Sequence, residues 1–136
     1  MVVKIFEKTV LFTVLLAMVF AAAGCQTELA TYKDIASQKL KAMIDQKENF
    51  TLVDVRTSQE FSAGHIQDAK LIPVDEIEHA LHDGKLETDE QIVVYCLMGG
   101  RSSQAAKILA NQGFKKILNL QGGTQAWQKA GYPLVK

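Results

Sequence analysis

The sequence predicts an α/β fold: a small, mostly parallel β-sheet of four to five strands, flanked by helices on both faces. Three observations carry that prediction. Short apolar runs alternate with helical patterns from about residue 31 to the C-terminus, the order expected of a parallel sheet. The clearest run, Ile92-Val93-Val94-Tyr95, has no polar alternation, which marks a strand covered on both sides. Gly84, Gly113 and Gly131 fall where helical patterns stop.

Taken in order, Tyr32 to Ile35 is a first short strand. Ser37 can cap a helix from about Gln38 to Asp45, with Leu40, Met43 and Ile44 at helical spacing. Phe50 to Val55 reads as a strand. Thr57 or Ser58 can cap a short helix that carries Glu60 and Phe61. Lys70-Leu71-Ile72 is a short strand closed by Pro73. Asp75 opens a helical run with Ile77, Ala80 and Leu81 inward. Gln91 to Tyr95 is a buried strand, and Ser102 or Ser103 caps a helix through Ala110. Lys116 to Leu120 is a further strand. Gly122-Gly123 turns the chain into a last helix, Thr124 to Ala130.

The first 24 residues are expected to be a signal peptide rather than part of this fold. Lys4 and Lys8 precede an uncharged stretch, Thr9 to Gly24. Its apolar part, Val10 to Ala23, matches a signal-peptide core of about 7–15 residues and is short for a membrane span of about 20. It ends in Ala22-Ala23-Gly24-Cys25, which resembles a bacterial lipobox. That resemblance implies cleavage after residue 24 and lipidation of Cys25. Residues 25–30 would then form the lipidated cysteine and a short tether, and 31–136 the folded domain. The protein is accordingly expected to be exported and lipid-anchored on the periplasmic or cell-surface side of a bacterial membrane. Gln26 rather than an aspartate follows the cysteine, so no inner-membrane retention signal is read. A plain secretory peptide and an uncleaved anchor are the alternatives, and both also export the domain.

Acidic and basic residues balance at 15 each, so no nucleic-acid partner is expected. There are two cysteines, Cys25 and Cys96. With Cys25 outside the domain, Cys96 has no internal disulfide partner, and neither belongs to a Cys-x-x-Cys motif. A lone thiol in an oxidising compartment must be buried or used.

Cys96 stands where a buried strand passes into a helix, at the sheet edge where ligands of such folds bind. The helix that follows directs its partial positive charge at the loop. Gly99 and Gly100 let the backbone curl until several N–H groups face one point. Arg101 adds a fixed charge. All three favour the thiolate, which is the nucleophile. A buried structural cysteine is the plainer reading, but it gives no reason for the glycines, arginine and helix start that follow.

Leu52-Val53-Asp54-Val55-Arg56, Glu60-Phe61, Gly64-His65-Ile66, Ala69 and Ile72-Pro73 resemble the first conserved box of rhodanese-like domains. Tyr95-Cys96 with Gly99, Arg101 and Ser102 resembles their active-site loop. Leu120 to Trp127 and Gly131-Tyr132-Pro133 resemble their closing box. The resemblance spans about residues 30 to 135. It implies a single-domain sulfurtransferase of the thiosulfate sulfurtransferase type. Cys96 would take a sulfane sulfur from thiosulfate or a persulfide and pass it to a thiol or cyanide. The active-site loop, Leu97, Met98, Gly99, Gly100, Arg101 and Ser102, would bind substrate. Family members acting on phosphate or arsenate have a loop one residue longer, which disfavours phosphatase chemistry here. Where many thiosulfate-using members carry basic or polar loop side chains, this chain has Leu97 and Met98, leaving Arg101 as the loop's cation. The two apolar side chains are expected to pack at the rim, with contact to an apolar or protein-borne thiol as the alternative.

Asp54 and Arg56 are read as supporting residues: Asp54 accepting backbone N–H bonds and Arg56 pairing with Glu60, with substrate guidance as the alternative. His65 reads as a hydrogen-bonded packing residue and Trp127 as packing for the last helix. His79 and His82, three apart among acidic residues, read as a solvated face rather than a metal site. No metal, no cofactor and a monomer are expected. The competing function is a catalytically weak binding or redox-sensing module.

Overall fold

The computed structural model describes residues 31–136; the signal-peptide and Cys25 readings fall on residues 1–30, outside that range. Five parallel strands form one sheet in the order β1-β5-β4-β2-β3. They are β1 (Lys33–Ile35), β2 (Thr51–Asp54), β3 (Lys70–Leu71), β4 (Ile92–Tyr95) and β5 (Ile117–Leu120). The helices are α1 (Ser37–Asp45), α2 (Ser58–Ala63), α3 (Ile77–His82), α4 (Gly100–Asn111) and α5 (Gly123–Lys129).

Alternation along the central strands builds two cores. Val53, Ile92, Val94 and Ile117 face α3 and α4, meeting Ile77, Ala80, Ala105, Ala106 and Leu109. Leu52, Val93, Tyr95 and Leu120 face the other way, meeting Leu40 and Met43 of α1 and Trp127 of α5. Successive strand residues point to opposite faces, so an unbroken apolar run is what a doubly covered strand requires. Complete burial of a residue such as Leu40 or Ile92 contributes about 1.5–3 kcal/mol. Among the described residues, no helix is long and apolar enough to cross a membrane.

Several element ends differ from expectation. Ala36, not Ser37, is the N-cap of α1, and Ser37 is buried in the first turn. The run opened at Asp75 divides into a 3-10 turn, Val74–Glu76, and α3. Ile72 lies just beyond β3, although its N–H still reaches the Asp54 carbonyl. α4 starts at Gly100, earlier than a Ser102 or Ser103 cap would allow. The Ser103 hydroxyl instead donates back to the Gly99 carbonyl at 2.8 Å, the backward bond available to serine inside a helix, and the Ser102 hydroxyl stands between that carbonyl, at 3.1 Å, and the Cys96 sulfur. The Thr57 cap is present: its hydroxyl accepts from the Glu60 N–H, and Glu60 reaches back to the Thr57 N–H.

Candidate active site

β4 delivers Cys96 to the carboxyl edge of the sheet, and the loop behind it turns at once into α4. Gly99 adopts a left-handed φ of 110°, open to glycine without strain, where the loop turns into α4. The Gly99 N–H donates to Cys96 Sγ at 3.0 Å and the Ser102 hydroxyl lies at 3.5 Å. The rest of the loop is held from outside. Thr124 and Gln125, at the start of α5, donate their N–H groups to the carbonyls of Cys96 and Leu97 at 2.9 and 3.1 Å. With those carbonyls drawn towards α5, the loop's amides are left to face the sulfur. This close approach explains the Gly122-Gly123 turn, since a Cβ on Gly123 would stand 2.2 Å from the Cys96 oxygen.

Cys96 is only 2% exposed. Burial is the largest single influence on its thiol and opposes ionisation. The Ser102 hydroxyl and the N–H groups of Ser102, Gly99 and Met98 together outweigh it, so the thiol is held below its ordinary range. The sequence reasoning credited Arg101 with a share of this effect; the larger shares come from short-range neutral donors, and the Arg101 charge attracts the thiolate as well.

Arg101 is engaged elsewhere. Its two terminal nitrogens donate to Glu60 Oε2 and Oε1 at 2.7 and 2.8 Å, a bidentate pair across 41 residues of sequence. The hydrogen bond from Arg101 is the main reason the Glu60 carboxyl falls to about 2. The expected Arg56–Glu60 pair is therefore not formed. Arg56 turns instead to Asp54, with Nε and Nη2 on the carboxylate at 2.9 and 2.6 Å, and Nη2 also donates to the Gly64 carbonyl. Asp54 accepts the Arg56 N–H as expected, at 3.0 Å. The guanidinium lies 5.8 Å from the centre of the Tyr95 ring. Burial and then the Asp54 charge push the Tyr95 phenol up, so its hydroxyl stays protonated while accepting the Ile66 N–H. Asp54 and Arg56 thus brace the loop's approach from beneath and do not reach the sulfur.

Leu97 and Met98, expected at the rim, both reach solvent there. They are 37% and 64% exposed and are the exposed large hydrophobics of the described residues. His65 is a packing residue, stacked on Phe61 with its Nδ1 against the Phe61 carbonyl. Trp127 is buried and donates to the Pro133 carbonyl. Among the described residues no three His, Cys, Asp or Glu side chains gather to hold a metal ion. Sequence reasoning missed two features: the α5 N–H groups on the loop carbonyls, and Glu60 on Arg101. Glu60 was read as the partner of Arg56, four residues away, and nothing local in the sequence points to Arg101.

The rhodanese-like domain model matches residues 36–130. A sulfurtransferase from Allochromatium vinosum is 37% identical over 102 residues, covering 75% of this chain and 94% of that protein. A thiosulfate sulfurtransferase from Shewanella oneidensis is 31% identical over 102 residues, with 75% and 98% covered. The crystal structure of a rhodanese-related protein from Thermoplasma volcanium superposes with a TM-score of 0.68 at 33% identity, covering 76% of this chain and 98% of that one. The α/β sheet, the thiol at its carboxyl edge and these likenesses agree: the chain belongs to the rhodanese-like domain family, beside relatives named as sulfurtransferases.

Proposed function

We propose that this protein moves a sulfane sulfur from a donor to a nucleophilic acceptor through a persulfide on Cys96. In the first step the Cys96 thiolate attacks the outer sulfur of the donor. With thiosulfate, the donor S–S bond breaks, sulfite leaves with its electron pair, and Cys96 keeps the outer sulfur as a persulfide anion. In the second step an acceptor such as cyanide attacks that sulfur, releasing thiocyanate and the thiolate. This is covalent ping-pong transfer, and donor and acceptor supply all the electrons, so no further oxidant or reductant is needed. The loop amides and the Ser102 hydroxyl serve both anions, and no general base is needed.

The observation that carries the reading is the Gly99 N–H on Cys96 Sγ at 3.0 Å, with the Ser102 hydroxyl 3.5 Å from the same sulfur. Intact-mass measurement after incubation with thiosulfate or an organic persulfide tests it. Gain of one sulfur atom is expected, removed by dilute cyanide and absent in Cys96→Ser. A protein that gains no sulfur from any sulfane donor, yet holds a partner through the intact loop, is the binding module instead.

The proposed setting is outside the cytoplasm, with the domain tethered through lipid on Cys25. Its support is the charged start, uncharged run and Ala-Ala-Gly-Cys ending of the first 25 residues. Labelled palmitate should be incorporated in a bacterial host and lost on Cys25→Ala.

A further inference from the structure

The active-site mouth combines features that select a substrate. Residues 97 to 100 carry no charged side chain. Arg101, the loop's cation, is occupied on both terminal nitrogens by Glu60, which is ionised down to a pH of about 2. Glu60 is itself fixed by the Thr57 backbone N–H and hydroxyl, at 3.0 Å each, so the carboxylate that holds Arg101 is anchored. Beside this neutralised charge stand Leu97 and Met98, apolar and open to solvent immediately after the recessed sulfur. A dianion such as thiosulfate finds no free cation on the loop to replace its hydration. An apolar body finds two side chains to dehydrate.

Resting on the sulfurtransferase reading above, we infer that the donor is an organic hydropersulfide, R–S–SH with an apolar R group, and that Glu60 sets this preference by holding Arg101 away from the donor. The Cys96 thiolate attacks the terminal sulfur, the donor S–S bond breaks, and R–S⁻ leaves. The terminal sulfur is now bound to Cys96 and keeps its hydrogen, which then passes to the departing thiolate. Leu97 and Met98 cover R, while the loop amides receive the persulfide anion left behind. The sulfur is carried without net oxidation or reduction, so no further reagent is required. Glu60 acts as a positioning residue: it meets Arg101, not the donor.

The experiment compares steady-state transfer to cyanide from thiosulfate and from benzyl hydropersulfide, in the wild type, Glu60→Gln and Met98→Lys. The wild type should show a kcat/KM at least tenfold higher for the benzyl donor. Glu60→Gln releases Arg101 and should move the ratio at least fivefold towards thiosulfate, chiefly through a lower KM for thiosulfate. Met98→Lys should move the ratio the same way by removing apolar cover and adding charge. A wild type that prefers thiosulfate, or variants that lower both donors' rates in equal proportion, overturns the inference and leaves sulfur transfer standing. A protein that takes sulfur from neither donor overturns the underlying reading instead.

Discussion

Arg56 and Arg101 are each clamped to a carboxylate by two nitrogens, one beneath the active-site loop and the other at its lip. Arg56 and Asp54 are two residues apart and almost wholly withdrawn from water, with side chains 5% and 0% exposed. Arg101 and Glu60 come from distant parts of the chain and keep about a third of their surfaces in solvent. The two pairs use the same chemistry but carry different energies. Removing one partner of a buried pair strands a charge where nothing else can satisfy it, whereas a rim pair is already shared with water. The inner pair thus belongs to stability and the outer pair to the electrostatics of the mouth.

The strongest way to break this contrast is Asp54→Asn. It leaves the Arg56 charge buried without its counter-ion, and a loss of about 3–5 kcal/mol is expected in urea unfolding. A loss below about 1 kcal/mol would place the inner pair in the same class as the outer one. Next in size is Ser102→Ala, which removes a neutral donor from Cys96 and leaves both arginines in place. Losing that hydroxyl should make the thiol titrate higher, followed by thiolate absorbance. No rise would return the credit to charge at the mouth.

The smallest effect belongs to Glu60→Gln, about 0–1 kcal/mol of stability despite its kinetic consequence for donor choice. Its pH dependence follows from the Glu60 carboxyl, lowered from 4.5 to about 2 chiefly by the Arg101 hydrogen bond. A carboxyl depressed in the folded state contributes its full stability above the unfolded value. That contribution falls away as the pH drops from about 4.5 through about 2. The gap between wild type and Glu60→Gln in thermal unfolding should therefore be widest at neutral pH and close over that window. A gap that stays constant to pH 2 would show that the pair has no electrostatic part in stability.

Much of the fold was legible in the chain because strand burial and glycine stops are local signals. Ile92 to Tyr95 reads as a doubly covered strand since each residue has an apolar neighbour on one face or the other. Cys96 and its glycines were equally legible, because a thiol at a strand end before a helix start is written in consecutive residues. The pairing of the two arginines was not. Arg56 lies four residues from Glu60 and two from Asp54, and local spacing permits either partner; the choice is made by Arg101, which arrives from 41 residues away. Ser37 and Ser102 failed as caps for a related reason. Ala36 and Gly99 already hold the backbone conformations that open their helices, which leaves the serines inside the first turns.

The depth of Cys96 sets a limit on geometry as well as on charge. A cysteine 2% exposed, beside two side chains that reach solvent, should favour a narrow stalk over a broad shoulder. On the proposed mechanism, donors branched at the carbon next to sulfur should transfer more slowly than straight ones. A sulfur carried there would be shielded by shape from bulky thiols, and its lifetime would depend on how slender the visitor is.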